Sequence, residues 1–176
     1  MFQKEVYAQQ AFGIVGESAY DGPRRAQPAI LNTTNPANNV IGRACTVVSG
    51  ATGSPDTSAD PKPLIAQAGG AGTFAGILAV PKNYVSYGTA TGGSLAPTMT
   101  VPNGIAVELA LMDEIVVAAP AGTNPGDIAF FDDVTGELSF APAGTAAPGG
   151  KTLVPNASIT RFSNAGVSLA VLKLTN

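Results

Sequence analysis

A chain of 176 residues with 45% apolar side chains is long enough for one domain with its own core, and too apolar for wholesale disorder. Charged residues make up only 12%, while 21 Gly and 14 Pro are scattered along the whole length, which excludes long amphipathic helices and coiled coils. Nine Lys and Arg stand against twelve Asp and Glu, a net charge of -3 without the basic footprint that nucleic acid needs.

No run approaches the roughly 18 consecutive apolar residues of a membrane span, and Met1 to Glu5 opens without the apolar stretch of a signal peptide. The expectation is therefore a soluble all-β protein made in a cytoplasm, with no nucleic acid and no membrane as partner.

Residues 1–40 read as an extended N-terminal arm. Their larger apolar residues, Phe2, Val6, Tyr7, Phe12, Ile14, Val15, Tyr20, Ile30 and Leu31, follow neither a 3.6-residue nor a two-residue period. Gly13, Gly16, Gly22, Pro23, Pro28 and Pro36 interrupt them. An apolar arm with no fold of its own needs a surface, either its own barrel or another subunit, and 40 extended residues span roughly 130 Å. Phe2, Tyr7, Phe12 and Tyr20 are the expected contact residues. Arg24 and Arg25, between Pro23 and Pro28, suit charge-assisted bonds to a partner's carboxylates, and equally suit a solvated loop.

Residues 41–176 read as a β-rich core domain. Cys45 to Val48, Phe74 to Val80, Ile105 to Leu109, Glu114 to Ala118, Asp127 to Phe131, Leu138 to Phe140, Ala157 to Phe162 and Val167 to Leu174 are runs of strand length. They are rich in β-branched or aromatic residues and bounded by Gly, Pro, Asn or Asp, so a small barrel or sandwich of short antiparallel strands is expected. Cys45, with no second cysteine to pair with, reads as a small buried apolar residue. Ile105 to Val116 also carries apolar residues at helical spacing, but two strands are the preferred reading. Ile128 to Phe131 and Glu137 to Phe140 form a hairpin around Asp132-Asp133-Val134-Thr135-Gly136, whose late glycine suits positive φ. The last run is apolar on both faces and reads as a covered strand. Val80-Pro81-Lys82, Val101-Pro102-Asn103 and Val154-Pro155-Asn156 read as strand ends where Pro stops the ladder, and Ser49 to Pro61 and Ala141 to Gly150 as exposed loops.

Little chemistry is available to such a chain. Without histidine there are no Ser-His-Asp or Cys-His arrangements and no imidazole metal ligands, and one cysteine cannot build a thiolate zinc site. Gly149-Gly150-Lys151-Thr152 lacks the upstream glycine and following helix of a phosphate loop. Gly69 to Gly76 misses the dinucleotide spacing and reads as a loop entering a strand. Asp127, Asp132, Asp133 and Glu137 are close in sequence but match no calcium loop, and two of them are ordinary turn residues, so no metal or cofactor is expected. With no catalytic residues in view, a structural or interaction protein is the better expectation.

Ala11-Phe12-Gly13-Ile14-Val15-Gly16-Glu17, Asp21-Gly22-Pro23-Arg24-Arg25-Ala26-Gln27-Pro28 and Gly72-Thr73-Phe74-Ala75-Gly76-Ile77-Leu78-Ala79-Val80-Pro81-Lys82 resemble the structural cement, or head-decoration, proteins of tailed bacteriophages. So do Val101 to Leu109, Gly126 to Phe131 and the closing Leu169 to Thr175. The similarity covers nearly the whole chain. It implies a small β-rich protein on the outside of an icosahedral head, bridging major capsid protein subunits and carrying no catalytic residues; self-association is expected, with dimer and trimer equally compatible with one short apolar arm. Two other readings stand beside it: a carbohydrate-binding or adhesin-like β module, which the absence of Trp disfavours, and a small all-β oligomeric hydrolase, supported only by the acidic cluster.

Overall fold

The computed structural model describes residues 13–48, 64–80, 100–163 and 169–176. Nine strands are found among them: β1 (Arg25–Leu31), β2 (Ala44–Val47), β3 (Leu64–Ala68), β4 (Phe74–Leu78), β5 (Ala106–Ala118), β6 (Ile128–Asp132), β7 (Leu138–Ala141), β8 (Lys151–Ser163) and β9 (Leu169–Thr175). The one helical element among the described residues is a 3-10 turn, Pro36–Asn38, capped by Asn35, whose side chain accepts from the Ala37 N–H. The fold is all-β, as the spacing of turn residues requires.

The strands hydrogen-bond in the order β1-β3-β2-β4-β5-β9-β8-β6-β7, and β1 also pairs with β5. That extra pairing closes β1, β3, β2, β4 and β5 into a barrel. A ring with an odd number of strands cannot alternate direction all the way round, so one neighbouring pair must be parallel. Here it is β1 with β3, through Ala29 to Leu31 and Leu64 to Ala66; the other barrel pairs are antiparallel. The remaining strands form a second sheet on the continuation of β5, which pairs with β1 and β4 through its first half and with β9 through Met112 to Ala118.

Two expectations about short strands are corrected by this arrangement. Ile105 to Val116 is not two strands: β5 is one strand of 13 residues that changes partners partway. Nor does Pro155 end a strand, because β8 also runs for 13 residues and carries Pro155 inside it. The register of β8 against β6 jumps from Leu153 opposite Phe130 to Ser158 opposite Ile128, so extra residues bulge out between them. A bulge needs no ladder bond from Pro155, and Asn156 there takes φ 46, a left-handed conformation that Asn tolerates.

The N-terminal span also differs from an arm ending at residue 40. Residues 25–31 are β1, paired on both sides, and Leu31 is fully buried. Upstream, Gly16 N–H donates to Val116 O (2.8 Å), Val116 N–H to Glu17 O (2.8 Å) and Ala19 N–H to Glu114 O (2.6 Å), so residues 16–19 occupy the edge of β5 away from β9. Of the two surfaces open to an apolar segment, the described part of this span takes its own domain.

Side chains alternate along the shared strands and supply two cores. Leu31, Cys45, Leu78, Val107 and Leu109 fill the barrel, while their neighbours Ala44, Ile77 and Ala110 face outward into a second core with Ile115, Val117, Phe131, Ile159, Ala170, Leu172 and Leu174. Phe74 and Phe131 meet there with ring centroids 6.1 Å apart. β9 is buried from Leu169 to Leu172 and again at Leu174, a covered strand as its sequence requires, with Lys173 exposed. The hairpin of β6 and β7 is present with Phe131 opposite Leu138 and Gly136 at φ 71.

That hairpin turn fastens the second sheet to the barrel through a crossing of glycines. Ala44 N–H donates to Gly136 O (2.9 Å), Gly69 N–H to Ala44 O (3.0 Å) and Gly70 N–H to Asp133 O (2.7 Å). A Cβ at Gly136 would lie 2.4 Å from Ala44 O and 2.7 Å from Gly69 N, both rigid backbone atoms. Gly144 has a similar φ of 88 with nothing within 4 Å. Gly144→Ala therefore isolates the conformational term, about 1 kcal/mol, whereas Gly136→Ala should destabilise by about 3 kcal/mol or more, since backbone must also move. Denaturant unfolding of the two variants checks this, and equal losses would remove the crossing as a joint.

Candidate functional site

Charged residues gather around the segment between the β5 edge and the start of β1. Tyr20, Asp21, Gly22, Pro23 and Arg24 leave the edge as a loop, with Tyr20 47% exposed. A groove of about 540 Å³ on one side is lined by Glu17, Ser18, Asp21, Arg24, Arg25, Glu108 and Asp113. A second, of about 440 Å³, runs beside Tyr20, Pro23, Met112, Glu114, Lys173 and Thr175. Asp21 and Asp113 border both.

Hydrogen bonds hold this loop in place. Ser18 Oγ donates to Asp113 Oδ2 (2.6 Å) and accepts from Arg24 Nη1 (3.0 Å), while Asp113 Oδ1 accepts from the Glu114 N–H (2.8 Å). Arg25 Nη2 donates to the main-chain oxygen of Asn176, and Arg161 Nη1 reaches the Tyr20 hydroxyl (3.4 Å). Asn176 is in turn tied to the β8 bulge: its Oδ1 accepts from Asn156 Nδ2 and its Nδ2 donates to Pro155 O. Tyr20 and Arg24 lie on this loop and Arg25 opens β1, each with a different partner, whereas Phe2, Tyr7 and Phe12 lie outside the described residues. Sequence reasoning missed Ser18, Asp113, Arg161 and Asn176, since their contacts join positions far apart in the chain.

The acidic cluster is built for structure. Asp132 Oδ1 accepts from the N–H groups of Thr135 (2.8 Å) and Val134 (2.9 Å) and from the Thr135 hydroxyl, fixing the hairpin turn. Asp133 accepts from the Thr152 hydroxyl, and Asp127 from the Asn124 N–H. Among the described residues, no three acidic or cysteine side chains are grouped as metal ligands would be. Lys151 begins β8 and donates to Ser139 Oγ (2.9 Å), and residues 69–73 lead into β4, so neither glycine-rich stretch forms a nucleotide cradle. Cys45 is buried in the barrel, which pushes its thiol up to about 12 and leaves it inert.

What remains is a broad, hydrogen-bonded, charge-mixed surface suited to another protein. A family model described as structural cement protein (E217 gp24/Pam3 gp6) matches residues 2–175. The chain belongs to this phage cement family. Among solved structures, a chain in the capsid of Myoviridae phage XM1 has the same fold, with a TM-score of 0.58 at 14% identity, covering 99% of this chain and 98% of that one. No curated protein is matched. A structural cement protein has a structural role in the capsid.

The Asp132 turn makes a pH-dependent contribution. The Thr135 and Val134 N–H groups hold its carboxyl below the ordinary aspartate range. A carboxyl lowered in the folded state stabilises the fold above the ordinary range, and that contribution is lost as the pH falls through its folded value. Asp132→Ala should lose about 1 kcal/mol near neutral pH, modest because the side chain is solvated, with Asp132→Asn losing less. The gap between wild type and Asp132→Ala should narrow as the pH falls below the ordinary aspartate range, and a gap independent of pH in urea titrations would refute the assignment.

Proposed function

We propose that this cement protein binds the outer surface of a phage head, contacts the major capsid protein and bridges neighbouring capsid subunits, and so stabilises the mature shell. The whole-chain family match supports this reading most strongly. The fold adds to it: a closed barrel joined to a sheet of long strands is a rigid spacer, and the loop from Tyr20 to Arg25 presents an aromatic ring and two guanidinium groups beside open grooves. Tyr and Arg are the side chains that most often anchor protein interfaces. The protein is made in the host cytoplasm and acts in the virion as a dimer or trimer on the symmetry axes of the lattice.

Stabilisation follows from linkage. A protein that binds two capsid subunits only in their mature arrangement lowers the free energy of that arrangement by its own binding free energy. Each copy needs an interface of only roughly 1,000 Å², because the contact is repeated over the shell. The exposed surface of Tyr20, Arg24 and Arg25 carries acids as well as bases, so salt weakens individual contacts without abolishing attachment.

Expanded heads lacking the protein should bind it when it is added back. Electron microscopy should then place its density between capsomers, and the reconstituted heads should withstand higher temperature before releasing DNA. Tyr20→Ala or Arg24→Ala should weaken attachment roughly tenfold in co-sedimentation while leaving unfolding unchanged. Density lying within single capsomers, or heads no more heat-resistant than bare ones, would contradict the bridging role. Undiminished binding by both variants would move the contact surface elsewhere.

A further inference from the structure

Asn103 is the one asparagine of the sequence that is followed by glycine. That pair has a chemistry of its own. Glycine carries no Cβ to obstruct the approach of its main-chain nitrogen to the preceding side-chain amide, so Asn-Gly cyclises more readily than other asparagine pairs.

The structure surrounds this pair with hydrogen bonds. The Asn103 amide meets the main chain of Thr33 through both of its polar atoms: Oδ1 accepts from the Thr33 N–H (3.0 Å) and Nδ2 donates to Thr33 O (2.8 Å). Asn39 Nδ2 donates to the same Oδ1 (2.8 Å), the Thr33 hydroxyl donates to Asn39 Oδ1, and the Ala68 N–H donates to that hydroxyl (2.9 Å). The Gly104 N–H, the group that would have to react, is itself committed to Leu31 O (2.8 Å). Thr33 and Asn39 are buried, whereas Asn103 is exposed to solvent. One side chain thus ties the ends of β1 and β3 to the segment entering β5 and closes that end of the barrel.

We propose that Asn103 is a modification site held in check by the fold: with the barrel end closed it persists as an amide, and each opening of that end exposes it to conversion to aspartate or isoaspartate. Gly104 N attacks Asn103 Cγ, the new C–N bond closes a cyclic imide, the bond from Cγ to Nδ2 breaks, and ammonia leaves with the Gly104 proton. Water then opens the imide, at Cγ to give aspartate or at the main-chain carbonyl to give isoaspartate, and no other reactant is needed. Neither product fits the closed end. Aspartate has no N–H for Thr33 O and sets a carboxylate oxygen against that carbonyl, while isoaspartate adds a methylene to the main chain and draws the Gly104 N–H away from Leu31 O. The change therefore runs one way, from an end that closes to one that does not. It is independent of the capsid reading, because every group involved lies within one barrel.

Incubation of the full-length protein in mildly alkaline buffer, with and without guanidinium chloride, tests this by peptide mass mapping and isoaspartate methyltransferase labelling. Conversion at Asn103 should be roughly tenfold or more slower in buffer than in denaturant, since the closed network must first open. Asn39→Ala removes one donor to Oδ1 and should speed conversion several-fold in buffer while leaving the rate in denaturant unchanged. Asn103→Asp, which carries one of the two products, should unfold at lower denaturant than wild type. Equal rates with and without denaturant would overturn the proposal, as would an Asn103 that stays unconverted in denaturant. An Asn103→Asp variant as stable as wild type would overturn the one-way consequence.

Discussion

Strand β5 belongs to two sheets at once, and most of the architecture follows from that. Its first half completes the barrel and its second half founds the outer sheet, so neither can be separated without breaking a continuous backbone. Both faces of such a strand must be apolar along much of its length, and Val107, Leu109, Ala110, Ile115, Val116 and Val117 meet that requirement on alternating sides. The charged residues of β5, Glu108, Asp113 and Glu114, border the grooves around the Tyr20 loop. The strand that organises the fold therefore also positions the candidate interface.

The second constraint is the approach of two backbones where the hairpin turn meets the barrel. Gly69 and Gly136 have positive φ and leave no room for a side chain, and the hydrogen bonds through Ala44 run directly between main chains. Arg43 and Asn38 add side-chain bonds to Thr135 and Val134 of the same turn. An apolar core between two sheets resists separation but tolerates sliding. Directional bonds at its rim fix the register.

Local features were legible in the sequence. The hairpin of β6 and β7 is written in two aromatic runs and a turn whose late glycine takes positive φ, and the covered character of β9 in apolar residues on both of its faces. Closure of the ring was not legible, because the parallel pairing of β1 with β3 follows from an odd number of strands meeting and leaves no trace in either strand. Pro155 misled for a related reason: a proline excludes a ladder bond, but only the register of neighbouring strands decides whether the chain stops or bulges there. The candidate site divides in the same way. Tyr20, Arg24 and Arg25 stand out locally as exposed loop chemistry, whereas Ser18 with Asp113 and Arg25 with Asn176 are meetings across 95 and 151 positions.

The sparse charge of the chain also has a structural logic. A surface with many unpaired charges would hold a shell protein by long-range attraction that salt screens, and would repel its own copies when they crowd on a lattice. Here three charges near the loop are committed: Ser18 stands between Arg24 and Asp113, and Arg25 is tied to Asn176. A partner binding at the proposed interface would meet side chains that are already oriented, so less conformational entropy would be lost on binding. On the proposed reading, economy of charge and prior ordering of the loop act in the same direction, toward many weak, repeated and salt-tolerant contacts.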